Sequence, residues 1–198
     1  MIDFADKADC CGCSACASIC PRGCIALRPD AEGFLYPEVN EEACVDCGLC
    51  EQVCPLLHKP EQHQLLAVYG AKNKNDVVRF ASSSGGGFTL LAETALAKNG
   101  VVFGAALDEH LQVRHVRADS MDELARLRGS KYVQSVIAGC FVEARGLLRA
   151  GRHVLFSGTP CQIAGLKGYL VKNYPNLLTV DVVCHGVPSP KVYRKHLA

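Results

Sequence analysis

The chain lacks a charge excess of either sign, with 21 lysines and arginines against 20 aspartates and glutamates in 198 residues. That balance leaves no electrostatic footprint for nucleic acid or an anionic membrane surface. It also lacks any apolar run near the roughly 18 residues that a membrane span needs. Its start, MIDFADKADC, has neither the basic nor the apolar region of a leader. These absences together predict a soluble, cytoplasmic protein with no membrane span and no nucleic-acid partner. Thiols stay reduced in that compartment, so disulfides do not account for 13 cysteines, an odd number.

The cysteines are unevenly placed. All but Cys140, Cys161 and Cys184 lie at or before Cys54, which divides the chain into a cysteine-dense head and an ordinary body. We read residues 1–58 as the head, 59–64 within PLLHKPEQHQ as a proline-containing linker, and 65–198 as the body. In the head, Cys10, Cys13, Cys16 and Cys20 precede Pro21, and Cys44, Cys47, Cys50 and Cys54 precede Pro55. Each run has the C-x2-C-x2-C-x3-C-P spacing of a four-iron cluster in bacterial ferredoxins. Three thiolates two residues apart let a tight loop wrap three corners of a cube. In two-cluster ferredoxins the fourth corner is filled from the other run. One set is therefore expected to be Cys10, Cys13, Cys16 and Cys54, and the other Cys44, Cys47, Cys50 and Cys20. Between the runs, CIALRPDAEGFLYPEV reads as two short strands about a turn holding Pro29, Asp30 and Gly33. Cys11 and Cys24 fall outside the spacing and are expected to pack as small apolar residues.

The body has an α/β pattern. Strands are expected at LLAVYGAK, VVFGAAL, LQVRHVRA, HVLFSG and LLTVDVV, the second and third paired through a turn at Asp108 and Glu109. Helices are expected at GGGFTLLAETALAKNG, stopped by Gly100, at SMDELARL with Ser120 and Glu123 as a capping box, at SVIAGCFVEARGLLRAG and at CQIAGLKGYLV. The last strand–helix–strand unit calls for a parallel pair joined by a right-handed crossover. The fold class is thus a ferredoxin-like α+β head followed by an α/β domain with a partly parallel sheet. Three segments sit where such sheets keep ligands. ASSSGGGF offers the hydroxyls and backbone amides of Ser83, Ser84, Gly85, Gly86 and Gly87 at a helix start, an anion cradle or a plain helix cap. RGSKYVQS offers Ser130, Lys131 and Tyr132, to an anionic cofactor or to solvent. SGTPCQ and VVCHG each place a cysteine, Cys161 or Cys184, just after a strand.

Taken in order, RFASSSGGGFT, GSKYVQS, VLFSGTPCQIAGLK and VVCHGVPSP behind a two-cluster head resemble the family of coenzyme F-420 hydrogenase/dehydrogenase beta subunits over essentially the whole chain. The resemblance implies an iron–sulfur flavoprotein that passes electrons between four-iron clusters and FAD, and on to a hydride-accepting small molecule such as coenzyme F-420. It implies a redox partner protein or subunit. It further implies that Ser83–Gly87, Ser130–Tyr132, Thr159 and Gln162 lie near the flavin, and that Cys161 and Cys184 ligate a third four-iron cluster. Family members continue well beyond the VVCHGVPSP motif, so the C-terminal part of the domain is expected to be missing from a chain that ends at Ala198. Hydride transfer is then expected only of a longer protein. Two other functions fit the residues: an electron-carrier subunit with no catalysis of its own, and a thiol-based hydrolase or transferase using Cys161.

Overall fold

A computed structural model describes residues 1–4, 6–59 and 64–197. Residues 60–63, which fall inside the expected linker, lie outside the described residues.

The head is a pseudo-repeat. Helix α1 (Ala15–Ile19) carries Cys16 of the first cysteine run and α2 (Leu49–Gln52) carries Cys50 of the second. Strands β1 (Ile25–Pro29) and β2 (Leu35–Val39) pair antiparallel between them, Ile25 opposite Val39 and Pro29 opposite Leu35. Asp30 closes the turn by accepting the amides of Glu32 and Phe34 at 2.9 Å each.

The body is a four-stranded mixed sheet in the order β4-β3-β5-β6. Its strands are β3 (Val101–Leu107), β4 (Val113–Ala118), β5 (Val154–Gly158) and β6 (Leu177–Asp181). The hairpin β3–β4 is antiparallel, and β3, β5 and β6 run parallel. Alternation along the strands separates two cores. Val101, Phe103, Val154 and Phe156 point to one face and Val102, Ala106 and Leu155 to the other. The helices in chain order are α3 (Asp76–Phe80), α4 (Gly87–Ala97), α5 (Met121–Leu124), α6 (Cys140–Arg149), α7 (Pro160–Leu170) and α8 (Pro190–Leu197). Helices α4 and α5 cover the second face; α6 and α7 cover the first, and the head packs onto that same core through Cys13, Ala15 and Val53. The end of the body also reaches the head, where Ser189 Oγ donates to the Glu32 carbonyl at 2.9 Å and Lys191 Nζ to that of Ala31 at 3.2 Å.

The structure corrects several local expectations. LLAVYGAK is not a strand: residues 65–72 have no strand partner, and Leu66 is 97% exposed. Apolar composition favours an extended chain, but a strand exists only where another backbone satisfies its amides and carbonyls. The helix expected from Ser135 begins at Cys140, because Val136 donates its amide to Val113 and accepts from His115, extending the edge of β4 instead. At the end of α4 the left-handed residue is Asn99, with φ 54°. Glu123 takes the amide of Asp119 rather than that of Ser120, so only half of the capping box at α5 forms, with Ser120 accepting from Glu123 N at 3.3 Å. The short carboxyl-terminal helix α8 has no counterpart among the sequence expectations.

Candidate metal centres and adjoining loops

The two cysteine runs fold as near copies. Cys10 Sγ accepts the amide of Gly12 at 3.5 Å, and Cys44 Sγ accepts that of Asp46 at 3.4 Å, the same two-residue step in each run. Ser14 and Gly48, at matching positions, enter α1 and α2 with left-handed backbone, φ 71° and 73°. These turns curl each run so that its thiols share the inside of a loop. An amide aimed at sulfur favours the thiolate, which is the form that binds iron.

Two hollows result. Cys10, Cys13, Cys16 and Cys54 line one, with Cys11 beside them. Cys20, Cys44, Cys47 and Cys50 line the other, with Cys24 beside them. The fourth cysteine of each run therefore faces the hollow of the other run. Among the described residues, no three His, Cys, Asp or Glu side chains converge on the point that a single metal ion would occupy. A single zinc needs such convergence, whereas a cube of four irons spreads its thiolates over separate corners, so its ligands need only ring a common hollow. Burial pushes the thiols of Cys10 and Cys16 up, that of Cys16 to about 12, and the nearby Cys54 adds to both. Loading with iron must then displace protons from these sulfurs.

The cysteines outside the spacing are not alike. Cys24 Sγ lies 3.3 Å from Cys20 Sγ. Cys140 Sγ donates to the His115 carbonyl at 3.2 Å, and burial lifts its pKa to about 11. Cys11 is within hydrogen-bonding reach of Cys13 and, across the head–body boundary, of Cys161. Cys161 sits 3.1 Å from Thr159 Oγ1, and its pKa is raised, first by the Cys11 thiol and then by burial. That environment is the opposite of an activated nucleophile's. Cys184 is exposed, and its sulfur receives the Gly186 amide at 3.4 Å, the two-residue step also seen at Cys10 and Cys44.

Of the loops singled out in the body, Ser83 and Ser130 meet: the Ser130 amide donates to Ser83 Oγ at 2.7 Å. Ser84 is exposed, Gly86 is buried in left-handed backbone, and Gly87 opens α4. Lys131 Nζ caps the carbonyls of Arg126 and Arg128 at 3.0 and 2.7 Å, and burial lowers its pKa. Tyr132 is 78% exposed. Thr159 and Gln162 form a reciprocal capping box at the start of α7, and Gln162 is buried.

Sequence reasoning missed the groups that hold Gln162 in place. Gln162 Nε2 donates to Ser135 Oγ at 2.9 Å, Ser135 Oγ donates to His115 Nδ1 at 2.8 Å, and His115 Nε2 donates to the Ser157 carbonyl at 2.8 Å. Burial holds the His115 pKa down to about 4, so the ring is neutral, with Nε2 donating to the carbonyl and Nδ1 accepting from Ser135. The signal was present in LQVRHVRA, where the period of two puts His115 on the inward face with Val113. This network ties β4, the GSKYVQS loop and the TPCQ turn to one another.

Residues 9–56 match the model of the 4Fe-4S dicluster domain. Residues 151–198 match the model of the carboxyl terminus of the coenzyme F420 hydrogenase/dehydrogenase beta subunit. The family resemblance read from the sequence stands. The chain is 28% identical over 166 residues to the F subunit of the F(420)H(2) dehydrogenase of Methanosarcina mazei, covering 77% of this chain and 46% of that protein. It is 38% identical over 53 residues to the PorD subunit of the pyruvate synthase of Methanothermobacter marburgensis, 27% of this chain and 56% of that one. A shorter match, 48% over 40 residues, is to the coenzyme F420-dependent sulfite reductase of Methanocaldococcus jannaschii, 18% of this chain and 6% of that protein. The chain thus spans less than half the length of the first of these relatives. It carries a match to a 4Fe-4S dicluster domain and is similar to part of an F420H2 dehydrogenase subunit. Among the described residues no helix is long and apolar enough to cross a membrane.

Proposed function

We propose that the chain is the electron-handling portion of an iron–sulfur flavoprotein oxidoreductase. In this reading it carries two four-iron clusters in the head and contributes the first part of an FAD site in the body. The observation that carries the reading is the doubled turn, in which each run supplies three cysteines to one hollow and its fourth, Cys20 or Cys54, to the other. Clusters move single electrons and a flavin, when bound, interconverts single electrons and hydride pairs. On the protein side, the amides of Gly12 and Asp46 point at the sulfurs of Cys10 and Cys44, where they would donate to the thiolates of a bound cluster. The Ser130–Ser83 hydrogen bond joins two of the body's loops and the Gln162–Ser135 hydrogen bond joins the third to them, and loops at strand ends are where α/β sheets bind anionic cofactors. The hydride acceptor we propose is a small molecule such as coenzyme F-420, and the other end of the chain of carriers is a redox partner protein.

The test is anaerobic reconstitution followed by analysis of iron, sulfide and flavin on one sample of the longest form of the gene product. About eight irons and eight sulfides per chain are expected, with flavin at about one per chain. Zinc in place of iron would sink the proposal. Full iron with no flavin in the longest form would instead support an electron-carrier subunit.

A further inference from the structure

The two hollows differ in what surrounds them, and the difference orders them. We infer that the cluster held by Cys10, Cys13, Cys16 and Cys54 is the inner one, through which electrons pass between head and body. The glycine seam of α7 is then the point of contact, and the cluster held by Cys20, Cys44, Cys47 and Cys50 is the outer one that faces the partner. This rests on the two-cluster reading above.

Helix α7 approaches the first run more closely than any side chain would allow. A Cβ on Gly165 would lie 2.9 Å from both Cβ and Sγ of Cys13, and one on Gly168 would come close upon the carbonyl oxygen of Val53, the residue before Cys54. Only glycine at these two positions lets helix and cysteine loop touch. Cys13 and Val53 accordingly belong to the hydrophobic core of the body, whereas Cys16, Cys50 and Cys54 belong to a cluster of head residues alone. One turn nearer the start of α7 lies Cys161 of the TPCQ turn, within reach of Cys11, a residue that neither ligand set uses. Gln134 of the GSKYVQS loop reaches the same place, donating to the Cys11 carbonyl at 3.2 Å. Two of the three loops assigned to the body's cofactor, GSKYVQS and TPCQ, therefore end against the first cysteine run.

Both hollows are lined by head residues, but among the described residues no glycine of α7 presses on the second as Gly165 presses on Cys13. Met1 and Val45 stand in its wall, and Cys47 is exposed. Electron tunnelling falls steeply with distance, so the carrier in contact with the body exchanges with it and the carrier at the surface exchanges with other molecules. With both clusters bound, single electrons would pass between neighbouring centres, one oxidised as the next is reduced, with no bond made or broken.

The experiment uses the reconstituted chain, dithionite-reduced, with its two EPR signals assigned by Cys16→Ser and Cys50→Ser, each of which perturbs its own cluster. A soluble dysprosium chelate relaxes paramagnetic centres according to their nearness to solvent. It is expected to relax the signal marked by Cys50 several-fold more than that marked by Cys16. Gly165→Ala, which presses a methyl group on the Cys13 sulfur, is expected to shift the g values and midpoint potential of the Cys16-marked signal alone, with the iron content unchanged. Equal or reversed relaxation would overturn the inference, as would a shift in the Cys50-marked signal or in neither. If Gly165→Ala does not fold, the chelate measurement decides by itself. Fewer than two clusters per chain would instead remove the reading beneath it.

Discussion

Around β1 and β2 the buried apolar side chains are Ile2, Ile25 and four cysteines, Cys16, Cys24, Cys50 and Cys54. Around the sheet of the body they are Phe103, Phe141, Phe156, Ile163, Leu166 and Tyr169 on one face and Ala92, Val102, Leu124 and Leu155 on the other. The body has what a domain needs to stand by burial alone. The head has too little apolar surface for that, and half of those buried residues, Cys16, Cys50 and Cys54, belong to the two expected ligand sets. Small domains of this kind take their folding energy from the bound metal. The comparison teaches that one chain can use two sources of stability, with the boundary at α7, where the glycine seam lets the metal-dependent part lean on the other.

The largest effect that would sharpen this contrast is removal of iron. A chelator should unfold the head while the sheet survives, read by hydrogen exchange as lost protection at the amides of β1 and β2 with protection kept in β3 and β5. Equal loss in both regions would mean that the body also depends on the clusters. The converse break is Phe156→Ala. Phe156 is fully buried and stacks on Phe103 and His115, with ring centroids 5.4 Å away in each case, and packs on Phe141 at 5.7 Å. Its truncation should cost about 3–5 kcal/mol in denaturant unfolding of the body. In the chain that remains folded, iron content should not change.

A third and smaller effect separates the regions by pH. The folded pKa of His115, about 4, lies below its ordinary 6.5 because burial disfavours the charged ring. The neutral ring's contribution is therefore complete above pH 6.5 and is lost as the pH falls through about 4. By linkage this is about 3 kcal/mol across that window. His115→Gln should flatten the acid limb of the body's stability curve between those values and leave the iron-loaded head unaffected. An unchanged acid limb would show that the His115–Ser135–Gln162 network is not what titrates.

How much of this was legible beforehand follows from what each feature depends on. The two cysteine runs, the hairpin between them, the β3–β4 hairpin and the β5–α7–β6 crossover are local patterns, set by spacing, turn residues and periodicity that a few consecutive residues carry. LLAVYGAK and the start of SVIAGCFVEARGLLRAG were misread because strand and helix there depend on which backbone lies alongside, and that is not a local property. Ser83 and Ser130 could be named separately, but their contact is made by the fold. His115 and Ser135, far apart in the chain, gain a role only because burial forces each polar atom to find a partner.

The amino-acid sequence alone determined the chemistry of the head, because a tight loop around a cube demands thiols at short fixed intervals and nothing else in the chain repeats that interval. Only the tertiary structure decided which of the two cysteine sets lies against the body. That choice rests on Gly165 and Gly168 meeting Cys13 and Val53, residues more than a hundred positions away. In the sequence those glycines are two small residues in a helix. Their missing side chains matter only once the head is packed against them, where a methyl group would collide with a cysteine sulfur or a backbone carbonyl.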